Sequence, residues 1–566
     1  MAPSSLVPGS TDWFVRASSA YPLGPLKFSP AKKGGLVLTF QHQSFNGLGS
    51  NELPWRTGSL CLDTPARVLG RRAFDIEPYQ PEKRLRWHVL RALRWLEAAS
   101  CGELALADDP FELAEFPLDQ TFLLSVAFSE SHESFLKWKE TSQRVGIAEL
   151  YDFDAKWNTY VVKSFHALDG RRLFMPEWGP SITNSSTAIS RGYWWRLKGP
   201  PVIDPWQAPT SWGELRTASR TQGIDLDELL RQAFRSRKTK DNVGRVGLIG
   251  FPVPARIGEA PDRMHWQALR LPELATSDGQ VHGFRSGSNS AWQHNREVVL
   301  RDEAVTKWAK SENWYADQLQ TRGVLPLTVT AKKCLFLGAG ALGSSLAELL
   351  VRAGLLRMLL VDEDRLEAGN LVRHTLDLRD LNEFKAEAVA KRLNLLSPSA
   401  RIEGLNSSFP PDGISDKNRI AACDLVIDCT GDDEVLYHLS TLEWANKTLF
   451  FSVSFGLRAH RLFCFAARAV RFPNESFREL LTPWLARDVE EHAGEEIPRE
   501  GIGCWHPVFP ARADDVWMMA SVATKQLERF AGSALERSEL VVFEQCRDED
   551  GSFAGIRRAS VQVGDE

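Results

Sequence analysis

The stretch that most narrows what this chain can fold into is KCLFLGAGALGSSLAELLVRAG, residues 333–354. Four apolar residues read as a buried strand. Gly338, Gly340 and Gly343 follow in the spacing G-x-G-x-x-G, and an apolar-periodic segment closed by Gly354 reads as a helix. Strand, glycine loop and helix together turn backbone N–H groups and a helix N-terminus toward an anion. A tight turn with no ligand is the plain alternative. A second apolar run, RMLLVDED, ends at Asp362, roughly two dozen residues after Gly338, the usual place (about 20 on) for an acid that binds a ribose. From residue 331 onward strands alternate with amphipathic helices, which predicts a parallel α/β sheet.

So far a nicotinamide-dependent oxidoreductase fits as well as a nucleoside-triphosphate enzyme. The next segment separates them. Asp362, Asp364, Asn370, Arg373 and Lys385 cluster just past the second strand. A dinucleotide on the glycine loop needs no extra Arg and Lys there; three phosphates do, best met by fixed cations with Mg²⁺. Further on, ACDLVIDCTGDDEV ends a strand at Asp428 and sets Thr430, Asp432 and Asp433 at its C-terminal end, where open α/β sheets bind ligands. An acid there either holds Mg²⁺ or is a solvated loop residue.

These motifs, GAGALGS, VDEDRLEAGNLVRH, FKAEAVA and DCTGDD, resemble the ThiF-type adenylation domain of E1-type activating enzymes. The resemblance implies an adenylyltransferase that uses ATP and Mg²⁺ to activate the C-terminal glycine of a small protein. It places Gly338, Gly340, Gly343, Asp362, Asp364, Asn370, Arg373 and Lys385 around ATP, with Arg373 and Lys385 catalytic and Asp432 on Mg²⁺. Two departures stand out: Arg373-His374 replaces the usual Arg-Gln, and TGDD replaces TDN, leaving Asp432 or Asp433 as the metal ligand. No C-x-x-C pair is present, so the zinc cysteines of the sulfur-carrier branch are missing.

Two cysteines complete the reading. GCWHPVF, around Cys504, follows an acidic, glycine-rich crossover and resembles the thioester-forming segment of bacterial E1-like proteins. GSLCLD, around Cys61, resembles the acceptor segment of E2-type conjugating enzymes, with Asn46 or His42 standing where that family has its oxyanion-steadying Asn. An inactive remnant is the alternative for Cys61. The order resembles that of the E2–E1 fusion proteins of type II CBASS anti-phage operons. It implies an E2-like (UBC-like) α+β domain over 1–150, a linker domain over 151–310 and an E1-like Rossmann-type domain over 311–566. By that resemblance, a separate protein ending in glycine, ubiquitin-like or a cGAS-like nucleotidyltransferase, is conjugated to an amine by a homodimer. An Arg from the partner subunit then reaches ATP, with Arg296, Arg301 and Arg322 as candidates. An activating enzyme of another bacterial ubiquitin-like operon, with a docking module at its N-terminus, is the second reading.

Composition agrees. Sixty-eight Lys and Arg against 73 Asp and Glu do not suggest a nucleic-acid coat. No run reaches the roughly 18–20 apolar residues of a membrane helix, and no basic-then-apolar leader opens the chain. Scattered cysteines without a framework point to a reducing, cytoplasmic setting. Two apolar faces are predicted: Leu85, Val89, Ala92, Leu93 and Leu96 on a helix over 84–99, and Val516, Met519, Ala520, Ala523 and Leu527 on a tail helix that serves either a core or a dimer. Leu26–Pro30 and the run GLVLTF read as strands, and Cys334, Cys423, Cys429 and Cys464 read as packing residues.

Overall fold

Runs such as CLFL, RMLLV, LVID and TLFFSVSF are apolar on both sides, as strands covered on both faces require. In the computed structural model they form the centre of an eight-stranded sheet. The structure describes residues 6–63, 66–70, 76–121, 123–154, 156–184, 189–235, 243–279, 283–284, 287–494, 496–499 and 509–564. Two compact units are present: residues 1–176 with 186–315, and residues 177–185 with 316–566.

In the second unit the strands lie in the order Arg401–Leu405, Arg357–Val361, Cys334–Leu337, Leu425–Asp428, Thr448–Phe455, all parallel. Arg461–Ala469, Glu539–Arg547 and Phe553–Val563 continue it antiparallel. Cys334–Leu337 is flanked by a strand that follows it directly and one that comes much later. Strand order therefore reverses beside it, and the crevice at that reversal is where such sheets bind ligands. One face is covered by helices Ala341–Arg352 and Ala513–Gly532, packed on each other. Val516, Met519, Ala520, Ala523 and Leu527 are fully buried in this unit, so the tail helix is a core helix and offers those residues to no partner. Cys334, Cys423 and Cys464 are buried and Cys429 is half-buried.

The first unit holds a nine-stranded mixed sheet whose middle strands are Val145–Asp154, Thr159–Ala167, Ile189–Arg196 and Val243–Val253. Val145–Asp154 runs across the border that the sequence places at residue 150. It pairs with strands on both sides, Thr159–Ala167 and Ile189–Arg196, which holds it in the sheet. Ahead of this sheet lie the hairpin of Trp13–Ala17 with Leu26–Pro30 and the helix Pro81–Cys101. GLVLTF is not a strand. Asn46 Nδ2 donates to the carbonyls of Leu36 and Leu38 (2.9 and 3.0 Å) and Arg56 donates to that of Val37, so side chains replace a ladder. The helix also buries a different stripe from the one expected. Arg84, His88, Arg91, Ala92, Trp95, Leu96 and Ala99 face inward, while Leu85 and Leu93 are exposed. Arg84 and His88 are drawn in because both reach Glu77 Oε1 (2.5 Å each).

Glu130 is buried in the nine-stranded unit. Its Oε1 accepts from the indole N–H of Trp138 (2.8 Å) and of Trp266 (2.7 Å), and Ser134 donates to Oε2. Burial pushes its pKa up to about 7 despite these donors. A raised carboxyl pKa means the folded chain holds the proton more tightly than the unfolded chain. That stabilisation is complete below about pH 4.5 and is lost as pH rises to about 7. Glu130→Gln, which keeps an acceptor for both indoles, is therefore expected to gain on the parent by up to about 3 kcal/mol across that window and to stay level above it. Urea unfolding of both proteins from pH 4.5 to 8 checks this; a difference that does not change with pH counts against it.

Candidate active site

The glycine loop sits at the strand-order reversal, as its sequence context requires. Gly338 has φ +88°, a conformation that side chains resist. A Cβ on Gly343 would lie 2.0 Å from the Gly338 carbonyl oxygen, so only glycine lets the helix start this close to the strand. A Cβ on Gly340 would meet nothing within 4 Å, which leaves its backbone open to an incoming group. Gly340 is the N-cap of Ala341–Arg352 and brings no side chain to the first turn, so its N–H groups stay free for an anion.

Two side chains brace this loop. Asp362 accepts from the Ala339 N–H at Oδ2 (2.6 Å) and from the Asp364 N–H at Oδ1 (2.8 Å). Burial pushes its pKa up, against those donors. His374 Nε2 faces the Ala339 carbonyl (2.6 Å), and its Nδ1 accepts from the Leu376 N–H (3.1 Å). Nδ1 is therefore the bare nitrogen and Nε2–H the donor. The imidazole is neutral, as its burial-lowered pKa requires. An amide in the same place would donate equally, which explains physically why His can stand where Gln was expected.

Gly340, Asn370, Arg373, Lys385 and Thr430 line a cavity of about 270 Å³. The sequence groups these residues; it does not reveal that Phe455, Phe509, Ala511 and Val516 close the far wall. The Phe455 and Phe509 rings stack with centroids 6.3 Å apart and planes at 15°. Arg373 donates one N–H to the Phe509 carbonyl, which positions the guanidinium at the cavity and leaves its other N–H groups for an anion. Lys385 Nζ pairs with Asp364 Oδ2 (2.8 Å).

Asp432 caps helix Asp433–Thr441, accepting from the Glu434 N–H at Oδ1 (2.8 Å); no other contact to its carboxylate is recorded among the described residues. Asp433 turns instead to Arg478 (3.4 Å). Asp428 is buried and holds Thr430 and Ser452. Asp432 does not line the cavity itself but follows Thr430, which does, by two residues. A carboxylate there suits Mg²⁺, which binds through one or two carboxylates, phosphates and water.

Cys504 lies outside the described residues. Cys61 is exposed in the first unit and its N–H donates to the His42 carbonyl (2.8 Å). Desolvation, then the carboxylates of Glu112, Glu115 and Asp63, push its thiol up to about 11. Asn46 is buried, with Nδ2 on two carbonyls and Oδ1 accepting from Arg56 Nε (3.2 Å). His42 Nδ1 pairs with Glu112 (2.8 Å). Burial works against its charge, yet Glu112 outweighs burial and raises its pKa. Of the two oxyanion candidates, then, Asn46 has its amide engaged, and His42 reaches Cys61 through the main chain. At pH 8 about one Cys61 thiol in a thousand should be ionised, so iodoacetamide should alkylate it about 10²-fold more slowly than an unperturbed cysteine, tenfold faster per pH unit up to 10. Peptide mass spectrometry reads this; rapid labelling at pH 7 would contradict it.

Arg296 pairs with Asp227 (2.8 Å) and Asp302 (3.4 Å), and Arg301 with Glu303 (4.0 Å). Arg322 is exposed, with no ion pair among the described residues. No described helix is long and apolar enough to cross a membrane.

Residues 321–460 match the ThiF family, and residues 102–314 match the Cap2 central linker domain. A glycine-loop site of this build within a ThiF segment defines the class: E1-like adenylyltransferases. An Enterobacter hormaechei subsp. hoffmannii protein, "ATP-dependent ubiquitin transferase-like protein Cap2", is 35% identical over 528 residues, 92% of this chain and 86% of that one. The chain belongs to the Cap2 family. A Pseudomonas aeruginosa protein of the same description is 37% identical over 112 residues, 19% of this chain and 20% of that one. "Ubiquitin-like modifier-activating enzyme ATG7" of Gallus gallus is 38% identical over 89 residues, 15% and 13% of the two chains.

Proposed function

We propose that this chain consumes ATP to activate the C-terminal glycine carboxylate of a separate protein, ubiquitin-like or a cGAS-like nucleotidyltransferase, and conjugates it to a target amine in anti-phage defence. The observation that carries the reading is one cavity joining a free helix N-terminus, Arg373, Lys385 and Asn370 inside a ThiF segment.

The carboxylate oxygen attacks the α-phosphorus of ATP and pyrophosphate leaves with the bond electrons. The glycine-loop N–H groups and helix N-terminus hold the phosphates, while Arg373 and Lys385 meet the charge that builds on them. Asp432 would hold Mg²⁺, which would supply charge neutralisation for the departing pyrophosphate. A cysteine thiolate then attacks the acyl carbon and AMP leaves; Cys504 is assigned this step and Cys61 the later transfer to the amine. Family membership further suggests a cytoplasmic homodimer, with Arg322 the candidate to reach the partner's nucleotide.

Incubating the chain with the protein encoded beside it should give ATP–pyrophosphate exchange that depends on that protein. Tight NAD(H) binding in calorimetry with no ATP binding would sink the reading.

A further inference from the structure

The nine-stranded unit carries a second cavity, of about 410 Å³, which the function above does not use. That volume lies within the roughly 300–1,000 Å³ of small-molecule sites. Its floor is buried and apolar: Phe135, Trp138, Leu197 and Met264. Lys139, Arg144 and Lys198 stand exposed at its rim, and no carboxylate is among its lining residues. None of the three has an ion pair among the described residues.

The walls are built before any ligand arrives. Glu130 fixes the Trp138 indole from below (2.8 Å). The Arg196 guanidinium lies over the Trp138 ring, 5.2 Å from its centroid. It donates to the carbonyls of Trp138 (2.7 Å), Thr141 and Gln143, which ties down the segment that carries Arg144. Burial, then the charge of Arg144, pulls the Arg196 pKa down to about 10. Buried Glu130 offsets part of the Arg196 charge from below, while Lys139, Arg144 and Lys198 at the rim face no carboxylate among the cavity's lining residues, and an anion there meets their charge.

We propose that this cavity binds an organic phosphate with a flat apolar body, the class that includes nucleotides. The body rests on the Trp138–Met264 floor and the phosphate meets Lys139, Arg144 and Lys198. The concave shape favours a small ligand over an acidic peptide, which would need an extended groove. This site is separate from the glycine-loop cavity and does not rest on the function proposed for it.

The test uses the full chain carrying Arg373→Ala and Lys385→Ala, which weakens the glycine-loop site, with ADP as probe. Binding that remains at that site is told apart because substitutions at the rim of the second cavity do not touch it. Saturable quenching of tryptophan fluorescence is expected, with Kd about 0.1 mM or below. Arg144→Gln with Lys198→Gln should weaken it about tenfold or more, and so should Lys139→Gln with Lys198→Gln; these exposed side chains leave the core intact. No saturation by millimolar ADP, or an affinity that both pairs leave unchanged, overturns the proposal. Inorganic phosphate binding as tightly as ADP removes the apolar body from it. An acidic hexapeptide that binds more tightly than ADP replaces it with a peptide site.

Discussion

Alanine at Arg373 is expected to slow substrate-dependent ATP–pyrophosphate exchange by about 10²-fold or more, and alanine at Lys385 by a similar factor. Both cations line the glycine-loop cavity, where they would face the charge on the transferring phosphates. The loop itself should survive either change, because the hydrogen bonds by which Asp362 and His374 hold Ala339 are made by neither Arg373 nor Lys385. Nucleotide binding should therefore fall less than turnover. Asp432 needs a gentler substitution. Alanine would also remove the cap of helix Asp433–Thr441, about 1 kcal/mol. Asn caps as well as Asp but lacks the charge, so Asp432→Asn should lose exchange with little loss of stability. Exchange by Arg373→Ala within twofold of the parent would take the phosphate role away from it.

The glycine loop was legible because each of its constraints is local. A four-residue strand, three glycines with separate steric reasons and one helix lie within about twenty residues, so spacing alone carries the geometry. Arg373 and Lys385 were legible by type: cations gathered past a strand end need an anion. The far wall was not. Phe455 and Phe509 come from distant parts of the chain, and nothing local in SVSF or VFPA marks a cavity wall. His374 was visible as a departure, yet its donor role appears only when the Ala339 carbonyl is beside it. The two local misreadings share a cause. Apolarity predicts a strand for GLVLTF and a Leu85–Leu93 face for Pro81–Cys101, but polar partners decide both: Asn46 and Arg56 take the carbonyls of the first, and Glu77 draws Arg84 and His88 inward on the second. Periodicity cannot report a buried ion pair whose carboxylate lies outside the helix.

The order proposed for the two cysteines rests on the surroundings of Cys61 and is expected to show on non-reducing gels. At about 11, the Cys61 thiol is almost wholly protonated near neutrality, held so by desolvation and by Glu112, Glu115 and Asp63. The same carboxylates repel an anionic acyl-adenylate. Cys61 is thus poorly placed to take the acyl group from AMP. A neutral thioester is not repelled by these carboxylates. Cys61 gives up its proton as its sulfur attacks the acyl carbon, the departing Cys504 thiolate takes a proton, and exchange of one thioester for another is nearly level in free energy. Carboxylates around the acyl group then favour the approach of a cationic amine. Cys504, which the sequence places in the E1-like segment, is accordingly the first acceptor in the proposed function. With substrate protein and ATP present, Cys504→Ala should keep pyrophosphate exchange yet form no thioester. Cys61→Ala should keep a thioester that reductant cleaves yet yield no conjugate. Full conjugate yield from Cys61→Ala would make the first unit a docking module, and a thioester on Cys61 in Cys504→Ala would show that the adenylate reaches it directly.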